Sequence, residues 1–234
     1  VTIKLGIPSK GRLHDETLAW FAARGVSLSR AGSVREYAGR VAGANGVELV
    51  LLSAGEIPQE LASGRIHLGV TGTDLLREKI ALWRSQLREL VQMGFGHADL
   101  VIAVPARWID VQTLDDLDAV AAQFRAVHGF RLRIATKYHN LVLAFLRRSG
   151  VADYQLVDSQ GATEGTVKNL TAEAVADITS SGETLRANHL KILDDGLVHG
   201  SQAALILSND ADWSDGNRAN LRELLVKLRI DAQA

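Results

Sequence analysis

Residues 172–188, Ala-Glu-Ala-Val-Ala-Asp-Ile-Thr-Ser-Ser-Gly-Glu-Thr-Leu-Arg-Ala-Asn, read as three pieces. A short apolar strand ends in an acid, Asp177; Thr179, Ser180, Ser181 and Gly182 make a small-residue loop; and a helix starts at Glu183, Thr184 and Leu185. Such a unit aims unpaired backbone N–H groups and the positive end of a helix dipole at one point, among hydroxyls, where phosphate fits. Asp177, and Glu173 four residues earlier, would crowd a bare phosphate. A ribose phosphate gives them a role, because carboxylates accept hydrogen bonds from vicinal hydroxyls while the loop holds the phosphate. Ordinary helix capping by Ser-Ser-Gly explains the same spacing, and spacing alone leaves both readings open.

Working back toward the N-terminus, Gly161 to Gly165, with Glu164, is a turn leading into this unit, and Tyr154 to Asp158 is a strand. Leu132 to Ala135 is another, followed by Lys137-Tyr138-His139-Asn140 and a helix to Arg148. Lys137 is a cation just past a strand, beside an aromatic suited either to stacking on a base or to the core edge. Thr113 to Val127 is helical, with acids at its positive end. Ile66 to Val70 is an apolar strand delivering Thr71, Gly72, Thr73 and Asp74, read as a loop, to a helix from Leu75. Asn45-Gly46 within Tyr37 to Leu52 predicts a hairpin. The first strand, Ile3 to Pro8, ends at Lys10-Gly11-Arg12, two cations around a glycine that lets backbone approach a ligand; a solvated turn is the plainer reading.

Beyond residue 188, His189 to Leu193 and Ser201 to Leu207 are strand-like, parted by Asp194-Asp195-Gly196, and Asp212 or Ser214 caps a helix over 217–228. Strands alternating with helices indicate an α/β architecture, whose ligands collect at the carboxyl ends of strands.

Composition narrows the function. The 234 residues are 47% apolar and 23% charged, with net charge −1, so no global field favours nucleic acid. No cysteine is present, which excludes disulfides, thiolate metal sites and cysteine nucleophiles. The first residues lack the apolar run of a signal peptide, and no stretch approaches a membrane span. A cytoplasmic protein without membrane or nucleic-acid partners is expected.

Together, Ile-Pro-Ser-Lys-Gly-Arg-Leu (7–13), Ala-Gly-Glu-Ile-Pro (54–58), Leu-Gly-Val-Thr-Gly-Thr-Asp-Leu-Leu (68–76), Ala-Thr-Lys-Tyr-His-Asn-Leu (135–141) and the 172–188 stretch resemble the short form of ATP phosphoribosyltransferase. The resemblance covers nearly the whole chain. It implies two α/β domains of type II periplasmic-binding-protein-like architecture with a cleft between them, residues 1–96 plus 200–234 and residues 97–199. It implies joining ATP, through adenine N1, to 5-phosphoribosyl 1-pyrophosphate (PRPP) with Mg²⁺, the first step of histidine biosynthesis. Glu173 and Asp177 then match the acids facing the ribose hydroxyls, and Ser180, Ser181, Gly182, Glu183 and Thr184 match the loop around the 5-phosphate. Glu164 matches an acid whose role the resemblance leaves open. Lys10, Gly11, Arg12, Thr71, Gly72, Thr73, Asp74, Lys137 and Tyr138 match the ATP side of the cleft. Among these, Asp177, Glu173, Lys10 and Arg12 are the expected catalytic groups; no protein metal site is expected. Departures are Glu173 where aspartate is common, His67 where an acid is common, and His139 where proline is common. The resemblance further implies a homodimer core that joins a histidyl-tRNA synthetase-like regulatory subunit, with no room in the chain for a regulatory domain of its own. The alternative is a two-domain anion- or nucleotide-binding protein without catalysis.

Overall fold

The computed structural model describes residues 2–30, 38–159 and 161–231. The chain forms two compact units, Val1–Gly96 with Gln202–Ala234, and His97–Ser201.

The first unit is a seven-stranded sheet. Its strands are β1 (Ile3–Pro8), β2 (Ser27–Arg30), β3 (Ala38–Ala42), β4 (Val47–Leu52), β5 (Leu68–Gly72), β6 (Leu87–Gln92) and, from the returning chain, β12 (Ala203–Ser208), in the order β2-β3-β4-β1-β5-β12-β6. The helices are α1 (Arg12–Ala22), α2 (Ile57–Ala62), α3 (Thr73–Lys79), α4 (Trp83–Gln86) and α9 (Asp215–Leu228). β12 shows why this sheet reads as unbroken apolar runs. Ala203, Leu205 and Leu207 join one core with Phe21, Leu224 and Leu228, while Ala204 and Ile206 join another with Ile57, Leu61 and Leu76. Both faces are covered, so both sets of alternating side chains are apolar. The hairpin forms as β3 antiparallel to β4. Tyr37, its expected first residue, lies outside the described residues. Ser214, one of the two expected caps, accepts from the Asn217 N–H at the start of α9.

The second unit is a five-stranded sheet of β7 (Ala98–Pro105), β8 (Leu132–Thr136), β9 (Tyr154–Asp158), β10 (Ala174–Thr179) and β11 (Leu190–Ser201), in the order β11-β7-β10-β8-β9. Its helices are α5 (Leu114–His128), α6 (His139–Arg148), α7 (Gly165–Lys168) and α8 (Glu183–Ala187). β10 is central, parallel to β8 and antiparallel to β7. Val175 on β10, Leu185 on α8 and Val167 on α7 belong to one core with Val101, Ala103 and Ala135. The 172–188 unit is thereby anchored at both ends.

Two expectations are corrected. Thr71 and Gly72 belong to β5, and Thr73 and Asp74 open α3, so 71–74 is a direct strand-to-helix junction instead of a loop. Asp194-Asp195-Gly196 does not end the first of the two expected strands; it is a bulged region within β11, and the break before the second, β12, falls at Gln202. Asp195 accepts from the Leu114 N–H at 2.8 Å and the Asp194 N–H bonds to the Gln112 carbonyl at 2.9 Å, so the acids of an apparent turn brace the start of α5.

Candidate active site

β10 carries Asp177 near its carboxyl end and hands the chain to the loop that opens α8. Gly182 is the residue before the helix, at φ 74°, the left-handed region where a side chain is disfavoured. The Thr179 hydroxyl accepts from the Gly182 N–H at 2.7 Å, and the Ser181 hydroxyl from the Glu183 N–H at 3.3 Å. Arg186 donates from Nη2 to the Ser181 carbonyl at 2.9 Å. The loop is a tight turn presenting Ser180, Ser181 and Thr184 on its exposed surface.

Asp177 is a half-buried carboxylate. Burial pushes its carboxyl above the ordinary carboxylate range, against the lowering effects of the Ile178 N–H, the Thr163 hydroxyl and the Lys137 charge; the Glu164 carboxylate adds to the rise. Thr163 is buried and also bonds Ser159 through its hydroxyl at 2.6 Å. Lys137 donates to the Gly161 carbonyl at 2.7 Å, tying the segment before α6 to the turn before α7. Asp177, Thr163, Glu164 and Lys137 thus form one electrostatic group beside the loop. Thr163 is absent from the residues singled out in sequence; its only signal is a hydroxyl in the Gly161–Gly165 turn.

Glu173 is placed elsewhere. Four strand residues span about 13 Å, so it sits a strand's length from Asp177. Its carboxylate accepts from the Arg133 N–H at 2.8 Å, from Arg133 Nε at 3.1 Å and from Nη2 at 2.5 Å, and Nη2 also reaches the Leu170 carbonyl at 3.1 Å. The Glu173 N–H returns a bond to the Arg133 carbonyl. Glu173 therefore clamps β10 to β8, and the structure does not bring it to Asp177. Arg133, which sequence reading passes over, is the fork-shaped partner such a clamp requires.

Tyr138 is buried, and its N–H bonds the Thr136 hydroxyl at 3.0 Å; it sits at the core edge, with no open face for a base. His139 pairs with Asp158 at 2.6 Å.

In the first unit, Gly11 precedes α1 at φ 84° with no heavy atom within 4 Å of the position a Cβ would take. Lys10 and Arg12 on either side are exposed, and Arg12 donates to Glu16 at 3.1 Å. Thr71, Thr73 and Asp74 are buried, with Gly72 half-buried. His67 is buried too: its Nδ1 accepts from the Lys4 N–H at 3.1 Å, and Nε2 faces the Asp212 carbonyl at 3.1 Å. No cluster of three or more His, Asp or Glu suited to a metal ion occurs among the described residues.

Comparison with known proteins supplies the family. The profile described as "HisG: ATP phosphoribosyltransferase" matches residues 53–230. An ATP phosphoribosyltransferase of Cereibacter sphaeroides is 72% identical over 215 residues, covering 92% of this chain and 91% of that protein. One from a Bradyrhizobium species is 49% identical over 98% of this chain and 71% of its own length. Among solved structures, the ATP phosphoribosyl transferase (HisG:HisZ) complex from Thermotoga maritima aligns with TM-score 0.70 at 22% identity, covering 97% of each chain. The substrate binding protein of an amino acid ABC transporter aligns at 0.52 with 12% identity over 98% of this chain and 92% of that one, placing the fold in the type II periplasmic-binding-protein-like class. The chain belongs to the ATP phosphoribosyltransferase family, the phosphoribosyl-transferring enzymes of the first step of histidine biosynthesis.

Proposed function

We propose that the second unit holds PRPP, with the 179–184 loop around its 5-phosphate and Asp177 against the ribose. The observation that carries this reading is the Asp177 carboxyl, held high by burial at the end of the strand that leads into the Thr179–Thr184 loop and the start of α8. Such a group gains most from a ligand that brings hydroxyl donors or positive charge. The reaction supplies both: PRPP presents vicinal hydroxyls, and positive charge grows on the ribose ring as pyrophosphate leaves C1 and adenine N1 attacks. Asp177 binds the hydroxyls and offsets that charge; Thr163 and Lys137 orient it. Glu173 acts through its clamp on Arg133, by holding β10 in register. Ser180, Ser181, Gly182, Glu183 and Thr184 supply N–H groups and hydroxyls to the phosphate.

Lys10, Gly11 and Arg12 meet ATP phosphates, and Gly11 keeps the backbone clear there. Thr71, Gly72, Thr73 and Asp74 shape that pocket from beneath, since they are mostly buried, and Tyr138 supports the position of Lys137. Mg²⁺ would be carried mainly by substrate oxygens and water. When bound, the ion offsets charge on the departing pyrophosphate. The division of the chain into Val1–Gly96 with Gln202–Ala234 and His97–Ser201 gives one module per substrate.

A homodimer that joins a histidyl-tRNA synthetase-like subunit in the cytoplasm completes the proposal. The solved Thermotoga maritima relative is a HisG:HisZ complex, which supports such a partner. The test is formation of phosphoribosyl-ATP from ATP, PRPP and Mg²⁺, with and without that subunit. Asp177→Asn is expected to lower kcat/KM at least 100-fold with an unchanged circular dichroism spectrum, a loss on the scale of one transition-state donor. Unchanged kcat/KM removes Asp177 from the site.

A further inference from the structure

We infer a second anion site in the same unit: a cavity of about 310 Å³ lined by Arg107, Lys168, Asn188 and His189 together with the apolar Val167, Leu170 and Ala187, suited to a small phosphate-bearing anion such as pyrophosphate. The inference of the site stands on its own residues; the regulatory consequence drawn below rests on the reading of Asp177 and its loop as the PRPP cradle.

Three basic side chains reach this cavity from three separate segments: Arg107 after β7, Lys168 at the end of α7, and His189 between α8 and β11. None of the three side chains has a hydrogen bond or ion pair among the described residues, although the chain as a whole is slightly acidic. Arg107 and Lys168 are exposed cations without a protein partner, so an anion held between them gains charge-assisted hydrogen bonds for which no described side chain competes. The segments are also held in place: the Ala106 N–H bonds the His189 carbonyl at 2.8 Å, fixing Arg107 beside His189.

The backbone points to the same place. Leu170 and His189 both line the cavity, and both stand at φ 58° without being glycine. Each is the left-handed residue that follows a short helix, with the Leu170 N–H on the Val167 carbonyl and the His189 N–H on the Arg186 carbonyl, so the turns that carry Lys168 and His189 to the cavity are hydrogen-bonded in place.

The location gives the site a consequence. Glu164 and Gly182 are the residues before α7 and α8, so both helices begin at the Asp177 group and the phosphate loop. The far ends of the same two helices, at Lys168 and at Ala187–His189, line the cavity. Each helix is five residues or fewer, so an anion that draws their far ends together acts on the cradle about 8 Å away. Occupancy of the cavity therefore alters PRPP affinity.

The experiment is a titration of the full chain with sodium pyrophosphate, followed by ¹H–¹⁵N spectra and calorimetry, on wild type and on Arg107→Gln/Lys168→Gln. Trp108 is the sole tryptophan between residues 97 and 201 and adjoins Arg107, so its indole N–H is a local reporter. Wild type is expected to show saturable shifts at Trp108 and at 187–190 and a binding event additional to any at the cradle. The double variant is expected to lose that event, with affinity at least 30-fold weaker, while still forming phosphoribosyl-ATP at the wild-type rate. Kinetically, the part of pyrophosphate inhibition that does not compete with PRPP should vanish in the variant. No saturable shift at Trp108 in wild type, which needs no variant to fold, overturns the site. Binding that survives Arg107→Gln/Lys168→Gln overturns it equally. Failure of the cradle reading is separate: it shows as absent turnover in wild type, whatever the titration gives.

Discussion

Replacing Glu173 separates two roles that one acid can play in this family. If Glu173 holds β10 to β8, its loss is a stability effect; if it touches ribose, its loss is a substrate-binding effect. Glu173→Ala removes three bonds to Arg133, two of them from the guanidinium, whose side chain is 27% exposed against 15% for Glu173. The Arg133 charge is left half-buried without its partner, and the Arg133 N–H without its acceptor. Fully buried pairs cost about 3–5 kcal/mol when one partner is removed; partial exposure lowers this to about 2–3 kcal/mol. Glu173→Gln keeps an acceptor for the Arg133 N–H and is expected to cost about half as much. Urea unfolding gives the free energies, and hydrogen exchange over 132–136 and 174–179 shows whether the loss is local to the clamp. In Arg133→Ala, Glu173→Ala and the double variant, the coupling is expected to be about 2 kcal/mol. The KM for PRPP of Glu173→Gln should stay within about threefold of wild type. A Glu173→Ala protein as stable as wild type, with KM for PRPP raised tenfold or more, would refute the clamp and restore the ribose contact.

Three further outcomes follow from single contacts. His67 accepts from the Lys4 N–H, so its proton lies on Nε2; burial lowers its pKa below the ordinary 6.5, outweighing the Asp212 carbonyl and charge, while Lys4 adds to the lowering. The unfolded chain then takes up the proton first as pH falls, so this contribution to stability is complete above about pH 6.5 and is lost below it. Thermal melts from pH 7.5 to 5 should show a decline that His67→Gln flattens; an identical slope in both proteins counts against the account. Gly182→Ala should cost about 1 kcal/mol from its φ of 74° and raise KM for PRPP, because a Cβ meets Arg186 Nη1 at 2.9 Å and displaces the guanidinium that braces Ser181; steady-state kinetics and urea melts test both. Asp195→Ala removes the acceptor of the Leu114 N–H and should cost about 1–2 kcal/mol without altering kcat/KM.

What was legible in the sequence, and what was not, follows from how far each signal reaches along the chain. The strand, loop and helix of 172–188 are local: apolar alternation, a glycine where positive φ is needed and small hydroxyl residues before a helix specify them without distant help, and all three appear. The α/β alternation is equally local. The bulge in β11 was not legible, because Asp-Asp-Gly has the composition of a turn, and only the distant Leu114 N–H and Gln112 carbonyl, both at the start of α5, tell the acids to brace a helix instead. The 71–74 junction misled for a related reason: hydroxyls and glycine read as a ligand loop, whereas β12 pairs along β5 as far as Gly72 and buries them.

Glu173 shows the same limit within the site. Its spacing from Asp177 places both acids on one face of a strand, and a pattern of two acids invites a shared ligand. A strand is extended, however, so same-face residues four apart are separated by more than a ribose can span. Asp177 is left with Thr163, Lys137 and Glu164 around it, and Glu173 is taken by Arg133, a residue forty positions earlier. On the proposed reading, one carboxylate, not two, meets the sugar. Charge offset at the ribose would then depend on the ionisation of Asp177, whose pKa burial raises, so catalysis is expected to fall in acid. A pH profile of kcat/KM should lose activity on an acid limb that Asp177→Asn abolishes, while circular dichroism stays native across that limb. An acid limb unchanged in Asp177→Asn would assign it to a different group and return the second carboxylate to consideration.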